Sequence, residues 1–426
     1  MSKLIVMKFG GASVKDAQSV RNVAHILSQH PERPLIFVVS AMGKTTNNLV
    51  ELAELSRKYK KEEALQQYQK IRDFHFSIIN ELFENNTTHS VYQEVEKYFT
   101  EMQEVIQGIA LLREFPFHLH DRIVSFGELI SATIVTAYLN EIGLKTQFYD
   151  ARKIIKTTSL AGGSEVLWEQ TQKNVKETFL PFPEHICCVT GYIASNLENQ
   201  TTTLGREGSD YTAAILSNIL EASEMHIWKD VEGVLNADPR RYPNTQVYPQ
   251  LTYQQAVEMS YYGASVIHPR TIKPLENKQI PLRVKCFLNT SLEGTLIQAP
   301  KYITIPPKQY AVIDKFNQIL LTITPKDFSF VMEKHIDEIA TAITHAKLKA
   351  NLSQNSALSY YICADNNPEQ VADFINELSE NFQVQKQDRV YLKTYLFLTE
   401  RLPDEEFFKA ILIQRSGTTA QMVIPE

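Results

Sequence analysis

The chain has 426 residues, enough for two to three domains at roughly 150 residues each. With 43% hydrophobic and 22% charged residues it has the composition of a soluble globular protein, which excludes disordered and fibrous classes. The 43 basic and 49 acidic residues leave a net charge of −6, so no basic face fit to track a phosphate backbone is expected, and nucleic acid is not an expected partner.

The opening run Met1–Met7 leads directly into Lys8-Phe9-Gly10-Gly11 and lacks the long apolar region and small-residue cleavage site of a signal peptide. Nowhere do 18 or more apolar residues follow one another, so no membrane partner is expected. Cys187, Cys188, Cys286 and Cys363 show no metal-ligand spacing and read as thiols of a reducing compartment, which makes the cytoplasm the expected location. Glycine is scarce, 15 residues against a usual frequency of roughly 7%. Most of these glycines fall in the motif segments below, where a backbone must turn sharply or approach a ligand.

In chain order, Leu4–Phe9 and Pro34–Ser40 are apolar runs of strand length, and between them Val20, Val23, Ala24 and Leu27 recur at helical spacing, a βαβ opening. Residues from about 44 to 141 carry long helical patterns with breaks near Asn85–Ser90 and Phe115–His120. Strands are predicted at Ile186–Thr190, Thr201–Leu204 and Met225–Trp228, with a helix over Tyr211–Leu220. This alternation predicts an α/β domain with a largely parallel sheet. The Pro306-Pro307 pair within Thr304–Lys308 marks the best boundary. Beyond it, strands at Ile319–Ile323, Ser356–Ala364 and Val390–Leu398 alternate with helices at Met332–His345 and Pro368–Leu378, and Ala420–Ile424 is a last strand. The βαββαβ-like order predicts a small ferredoxin-like α+β domain.

Several segments carry chemistry. Lys8-Phe9-Gly10-Gly11-Ala12-Ser13 runs from a strand through paired glycines toward a helix, which suits an anion; taken alone it reads more readily as a tight turn with a solvated lysine. It is not a P-loop, since the terminal Gly-Lys-Ser/Thr is missing. Ser40-Ala41-Met42-Gly43-Lys44-Thr45-Thr46 fits the ligand edge of an open sheet, or a polar loop capping the next helix. Glu128, in Ser125-Phe126-Gly127-Glu128, is either a first-turn carboxylate or a holder of an ammonium group. In Gly205-Arg206-Glu207-Gly208-Ser209-Asp210, Arg206 suits a carboxylate, and Asp210 either organises a lysine or metal or merely caps a helix. Trp228-Lys229-Asp230 followed by Asp238-Pro239-Arg240 suits a nucleotide pocket or a plain loop, and His268 reads as a structural histidine.

Taken in order, these segments resemble the aspartate kinases of the amino-acid kinase fold. The similarity is strong over residues 3–300 and looser over 314–426, which look like ACT-type regulatory modules. It implies a catalytic domain over 1–300, a linker over 301–313 and a regulatory region over 314–426 with one clear module and the remnant of a second. It further implies ATP with Mg²⁺ as cofactor, L-aspartate as substrate, lysine or threonine as effector, and a homodimer. Residue by residue, the resemblance makes Lys8 the contact to the transferring phosphoryl group and Asp210 the organiser of the centre. Ser40, Thr46, Glu128, Arg206 and Ser209 become substrate-binding, with Glu128 on the α-ammonium and Arg206 on the carboxylate. Lys8, Gly10, Gly11, Ser13, Lys229, Asp230, Leu235, Arg240 and Ser265 would hold ATP. Asn351, Ser353, Gln354, Asn355 and Ser356, placed at a helix-to-strand turn, would meet the effector. Four positions depart from the family pattern: Ala12 replaces a threonine, Glu207 replaces the second glycine of Gly-Arg-Gly-Gly-Ser-Asp, and Leu235 and Ser265 stand where an aromatic residue and a lysine are common.

The chemistry implied needs no general base, because the β-carboxylate of aspartate, with a pKa of about 3.9, is ionised at neutral pH. The protein must bring one anion onto another in line and neutralise the charge. A catalytically silent amino-acid-sensing subunit and a kinase for another carboxylate such as glutamate are the competing readings. The retention of Lys8, Glu128, Arg206 and Asp210 together argues against the silent subunit.

Overall fold

The computed structural model describes residues 4–31, 34–159, 163–264, 267–307, 309–398 and 407–426. The chain forms two compact units. Unit 1 comprises Met1–Val234, Val247–Val257 and Ile267–Pro306; unit 2 comprises Leu235–Gln246, Glu258–Val266 and Pro307–Glu426.

Unit 1 opens with β1 (Ile5–Phe9), a 3₁₀ turn over Gly11–Val14, α1 (Ala17–Ser28) and β2 (Leu35–Val39). Asp16 starts α1, its Oδ1 accepting the Ser19 N–H at 2.7 Å. Four helices follow, α2 (Thr45–Arg57), α3 (Lys61–Leu82), α4 (Ser90–Leu112) and α5 (His118–Glu141). The two breaks expected from the sequence are present. A third separates α2 from α3, at Tyr59 in the left-handed region (φ 55°), with no glycine or proline to signal it. The rest of the chain through residue 298 forms β3 (Thr146–Tyr149), α6 (Trp168–Phe179), β4 (Ile186–Thr190), β5 (Ile193–Ser195), β6 (Thr201–Thr203), α7 (Gly208–Ile219), β7 (Glu224–Lys229), β8 (Gln250–Thr252), α8 (Tyr253–Tyr262), α9 (Pro269–Lys278), β9 (Leu282–Cys286) and β10 (Thr295–Gln298).

Eight of these strands form one sheet in the order β3-β4-β2-β1-β7-β9-β10-β8, with only the β9–β10 pair antiparallel. β5 and β6 form a separate hairpin. Every residue of β2 and β4 is buried, as expected for parallel strands covered on both faces. The α/β expectation holds. α5 is long and apolar enough to cross a membrane by length and composition, yet 83% of its apolar window is buried, and it packs across β2, β3 and β4.

In unit 2, β11 (Ala311–Pro325), α10 (Glu333–His345), β12 (Ala350–Asn355), β13 (Tyr360–Asp365), α11 (Pro368–Leu378) and β14 (Phe382–Leu396) follow the ferredoxin-like βαββαβ order. The hairpin of β15 (Leu412–Ser416) and β16 (Thr419–Pro425) extends the same antiparallel sheet, whose order is β12-β13-β11-β14-β16-β15. Ile319, Leu321, Ile323, Ile339, Ile362 and Phe374 share one core. One correction concerns Ser356–Ala364, expected as a single strand. Residues 356–359 are a turn, closed by the Ser356 N–H donating to the Ser359 carbonyl at 2.8 Å, and a whole strand, β12, precedes it. β12 is an edge strand and holds Asn351, Ser353, Gln354 and Asn355, so no apolar alternation announces it.

Candidate active site

Three loops meet at the carboxyl edge of the central strands, where open α/β sheets bind ligands. They are stitched by backbone hydrogen bonds: the Ser40 N–H to the Phe9 carbonyl (3.1 Å), Gly43 to Gly11 (3.0 Å) and Gly191 to Val39 (2.9 Å). The close approach requires glycine at position 11, since a Cβ there would lie 2.7 Å from the Gly43 oxygen and 2.9 Å from the Ala41 oxygen. Gly191 likewise leaves room for Ser209, whose Oγ would be 2.5 Å from an added Cβ.

Into this edge β1 delivers Lys8, paired in the sheet with Val38 and Ile227. The Lys8 Nζ lies 2.5 Å from Asp210 Oδ1, in the first turn of α7, and both side chains are largely shielded from solvent. In such surroundings the attraction is stronger than on a surface, and the carboxylate fixes where the ammonium sits. Ser13 and Ser209 are buried nearby in sequence, on the 3₁₀ turn and at the start of α7. Lys229 ends β7, the neighbour of β1, and its carbonyl accepts the Phe287 N–H at 2.7 Å; Asp230 is exposed beyond it.

Glu128 sits on α5, only 2% exposed, and its Oε1 accepts the Ala41 N–H at 3.3 Å. No hydrogen-bond partner reaches Oε2 among the described residues. Burial pushes the carboxyl group up to about 8, with the Ala41 N–H pulling weakly the other way. The preceding Gly127 lets α5 pass tightly under the Ser40–Ala41 turn, because a Cβ would come within 2.8 Å of the Ala41 methyl. Ser131 Oγ donates to the Ser40 carbonyl at 2.7 Å and fixes the same turn from below.

Thr46 is half-buried in the first turn of α2. Its neighbour Thr45 is fully buried, with Oγ1 3.4 Å from Nε2 of His75. The His75 Nδ1 meets the Ile71 carbonyl at 2.7 Å, and burial brings the ring down to about 4, so it stays neutral. Sequence reasoning passed over this pair, and also Asp121, whose Oδ2 accepts the Thr203 N–H at 3.0 Å and ties β6 to α5. Neither carries a signal in the sequence, because each depends on a partner far along the chain.

Arg206 is exposed on the loop before α7. Glu207 has a left-handed backbone (φ 53°), and its Oε2 accepts the His268 N–H at 2.8 Å. His268 caps α9, its Nδ1 accepting the Arg270 N–H at 3.2 Å, which agrees with a structural role. Leu235 and Arg240 belong to unit 2, and Arg240 is exposed and paired with Asp238 at 2.7 Å. Ser265 lies outside the described residues. Lys8, Gly10, Gly11, Ser13, Ser40, Ser209 and Asp210 therefore meet at one sheet edge, while the expected nucleotide residues are divided between the units.

The residues expected to meet an effector lie on β12 and the turn after it, not at a helix-to-strand turn. Asn351 is engaged in a polar network: its Nδ2 donates to Gln318 Oε1 and to Asp365 Oδ1, both at 2.7 Å, and its Oδ1 accepts from Lys315 Nζ at 2.6 Å.

Residues 3–286 match the amino acid kinase family. Aspartokinase 1, chloroplastic, from Arabidopsis thaliana is 36% identical over 306 residues, covering 70% of this chain and 52% of the relative. The bifunctional aspartokinase/homoserine dehydrogenase of Buchnera aphidicola is 33% identical, covering 68% of this chain and 36% of the relative. The chain thus spans about half or less of the length of these relatives. Among solved structures, E. coli aspartokinase III in complex with lysine and aspartate (T-state) superposes with a TM-score of 0.81 at 26% identity, covering 100% of this chain and 96% of that one. The same enzyme with aspartate and ADP (R-state) gives 0.80 at 26% identity, over 99% and 96%.

Proposed function

The chain belongs to the amino acid kinase family, and from that premise we propose that it is an aspartate kinase, which moves the γ-phosphoryl group of ATP onto the β-carboxylate of L-aspartate. The observation that carries this reading is the Lys8–Asp210 pair at the sheet edge together with Glu128, a buried carboxyl group whose Oε2 lacks a partner among the described residues. A free amino acid supplies the missing donor in its α-ammonium group. The aspartokinases among the relatives, and the E. coli enzyme solved with aspartate and ADP, support the same reaction.

In this reading an oxygen of the ionised β-carboxylate attacks the γ-phosphorus as the bond to the ADP oxygen breaks. No proton moves at the nucleophile. Bound ATP and Mg²⁺ supply the phosphoryl group and part of the compensating charge. Mg²⁺ would be held mainly through the phosphates of ATP and water, and no protein side chain is assigned to it. Lys8, aimed by Asp210, offers its ammonium to the phosphoryl oxygens. Arg206, exposed at the surface, takes the α-carboxylate. Glu128 takes the α-ammonium and, on doing so, gives up the proton it carries below about pH 8.

Further parts of the proposal rest on the relatives and on the family resemblance. They are a catalytic domain over 1–300, a linker over 301–313, an ACT-type regulatory region over 314–426, homodimerisation through that region, inhibition by lysine or threonine, a place at the entry to lysine, threonine and methionine synthesis, and a cytoplasmic location. The deciding assay is ADP release with Mg-ATP and L-aspartate, L-glutamate or no acceptor, with lysine and threonine added in parallel. Turnover with aspartate is the expected result. Turnover with glutamate alone replaces the substrate, and none with either, while lysine or threonine still raises the melting temperature, replaces the kinase with a sensor.

A further inference from the structure

Glu207 is an unexpected residue in an unexpected conformation. It precedes α7 with φ 53° and ψ 31°, a left-handed geometry that favours glycine, and its side chain makes no capping hydrogen bond to the helix. Glycines stand at positions 205 and 208, and the family pattern has a third where this chain has Glu207. What the Glu207 side chain reaches is a backbone donor remote in sequence. Its Oε2 accepts the His268 N–H at 2.8 Å, a charge-assisted bond to a residue 61 positions away. A second tie runs alongside, with Arg270 Nη1 donating to the Leu204 carbonyl at 3.2 Å and its guanidinium 5.6 Å from the centre of the Tyr211 ring. The segment 204–211 is thus held at both ends and in its middle against the start of α9. Within that span lie Arg206, which touches Glu207 in sequence, and Asp210, which holds Lys8.

We propose that Glu207 is a positioning residue: its bond to the His268 N–H anchors the loop that presents Arg206 to the substrate carboxylate. The inference deepens the aspartate kinase reading and rests on it for the role of Arg206. Three variants separate anchoring from fold stability and from charge. Glu207→Gly relieves the left-handed backbone, so its melting temperature should equal or exceed that of the wild type, while KM for aspartate rises about tenfold with kcat and KM for ATP little changed, the scale of one lost charge-assisted hydrogen bond. Glu207→Ala should raise KM equally with a lower melting temperature. Glu207→Gln keeps an acceptor oxygen and should restore KM to within about threefold of wild type. A Glu207→Gly enzyme with unchanged KM overturns the proposal, as does a Gln variant that lowers KM together with the Gly variant, the mark of a free charge repelling the anionic substrate. Hydrogen exchange at the His268 amide, read in the full chain, should accelerate in the Gly and Ala variants and not in Gln. If the wild type phosphorylates no amino acid, the kinase reading falls, while exchange at His268 still decides whether Glu207 anchors the loop.

Discussion

Glu128 couples the site to pH through its burial. Its carboxyl group titrates near pH 8 in the folded protein and near 4.5 when the chain is unfolded. Between these values the folded state binds the extra proton, so the contribution of Glu128 to stability is fullest below about 4.5 and is lost as pH rises through 8, by up to about 1.4 kcal/mol per pH unit. The urea midpoint of the substrate-free protein should fall from pH 5 to pH 8, and Glu128→Gln should flatten that fall; identical profiles for the two proteins would locate the titration elsewhere. Lys8 acts on the reaction. Lys8→Ala should lose at least ~3 kcal/mol of transition-state stabilisation, about a hundredfold in kcat, the scale of one preorganised donor to a developing anion. Near-normal turnover in a folded Lys8→Ala protein would remove Lys8 from the mechanism. Both residues were picked out from sequence by their motifs, but that Glu128 Oε2 has no partner among the described residues was not legible there, because it depends on which groups α5 buries.

At the scale of the elements, glycine divides into positions that permit packing and positions that merely occupy a helix. At Gly11 an added methyl would meet two backbone oxygens, which cannot rotate away, so Gly11→Ala should destabilise by about 1–3 kcal/mol. Gly108 lies inside α4 with nothing within 4 Å of an added Cβ, and Gly108→Ala should stabilise by about 1 kcal/mol. Thermal denaturation of the two variants should therefore shift in opposite directions, and a shared direction would refute the distinction. Strands such as β1, β2 and β4 were visible in the sequence because they are buried on both faces and read as continuous apolar runs. β12, polar and at a sheet edge, and the break at Tyr59, made by a residue with no turn preference, were not.

For the molecule as a whole, the segment Leu235–Gln246 lies between two stretches of unit 1 in sequence yet packs in unit 2. Val312 N–H donates to the Asn236 carbonyl at 2.7 Å, Tyr242 OH to Asp314 Oδ2 at 2.9 Å, and Arg241, 3.2 Å from the same oxygen, covers the Phe316 ring at 4.0 Å. Asp314 also lies 4.0 Å from the buried ammonium of Lys393. Asp314→Asn leaves that ammonium without its carboxylate and should cost about 3 kcal/mol in urea denaturation of the full chain. Adding Lys393→Met should recover much of the loss, since the pair rather than the single charge is at issue. With Lys393→Met measured alone as well, a double-variant loss equal to the sum of the two single losses would show the residues to be energetically independent.

The sequence by itself determined the α/β class, the helical stretch over 44–141, the ferredoxin-like order after the Pro306-Pro307 pair and the glycine-rich motifs at strand ends. These follow from local periodicity and backbone freedom, which every residue carries with it. Tertiary structure alone decided that burial raises the Glu128 carboxyl group to about 8, that Glu207 bonds a residue 61 positions along the chain, and that Leu235 and Arg240 join the second unit. Each of these depends on burial or on a partner remote in sequence, and a chain's pattern specifies such partners only once it has folded.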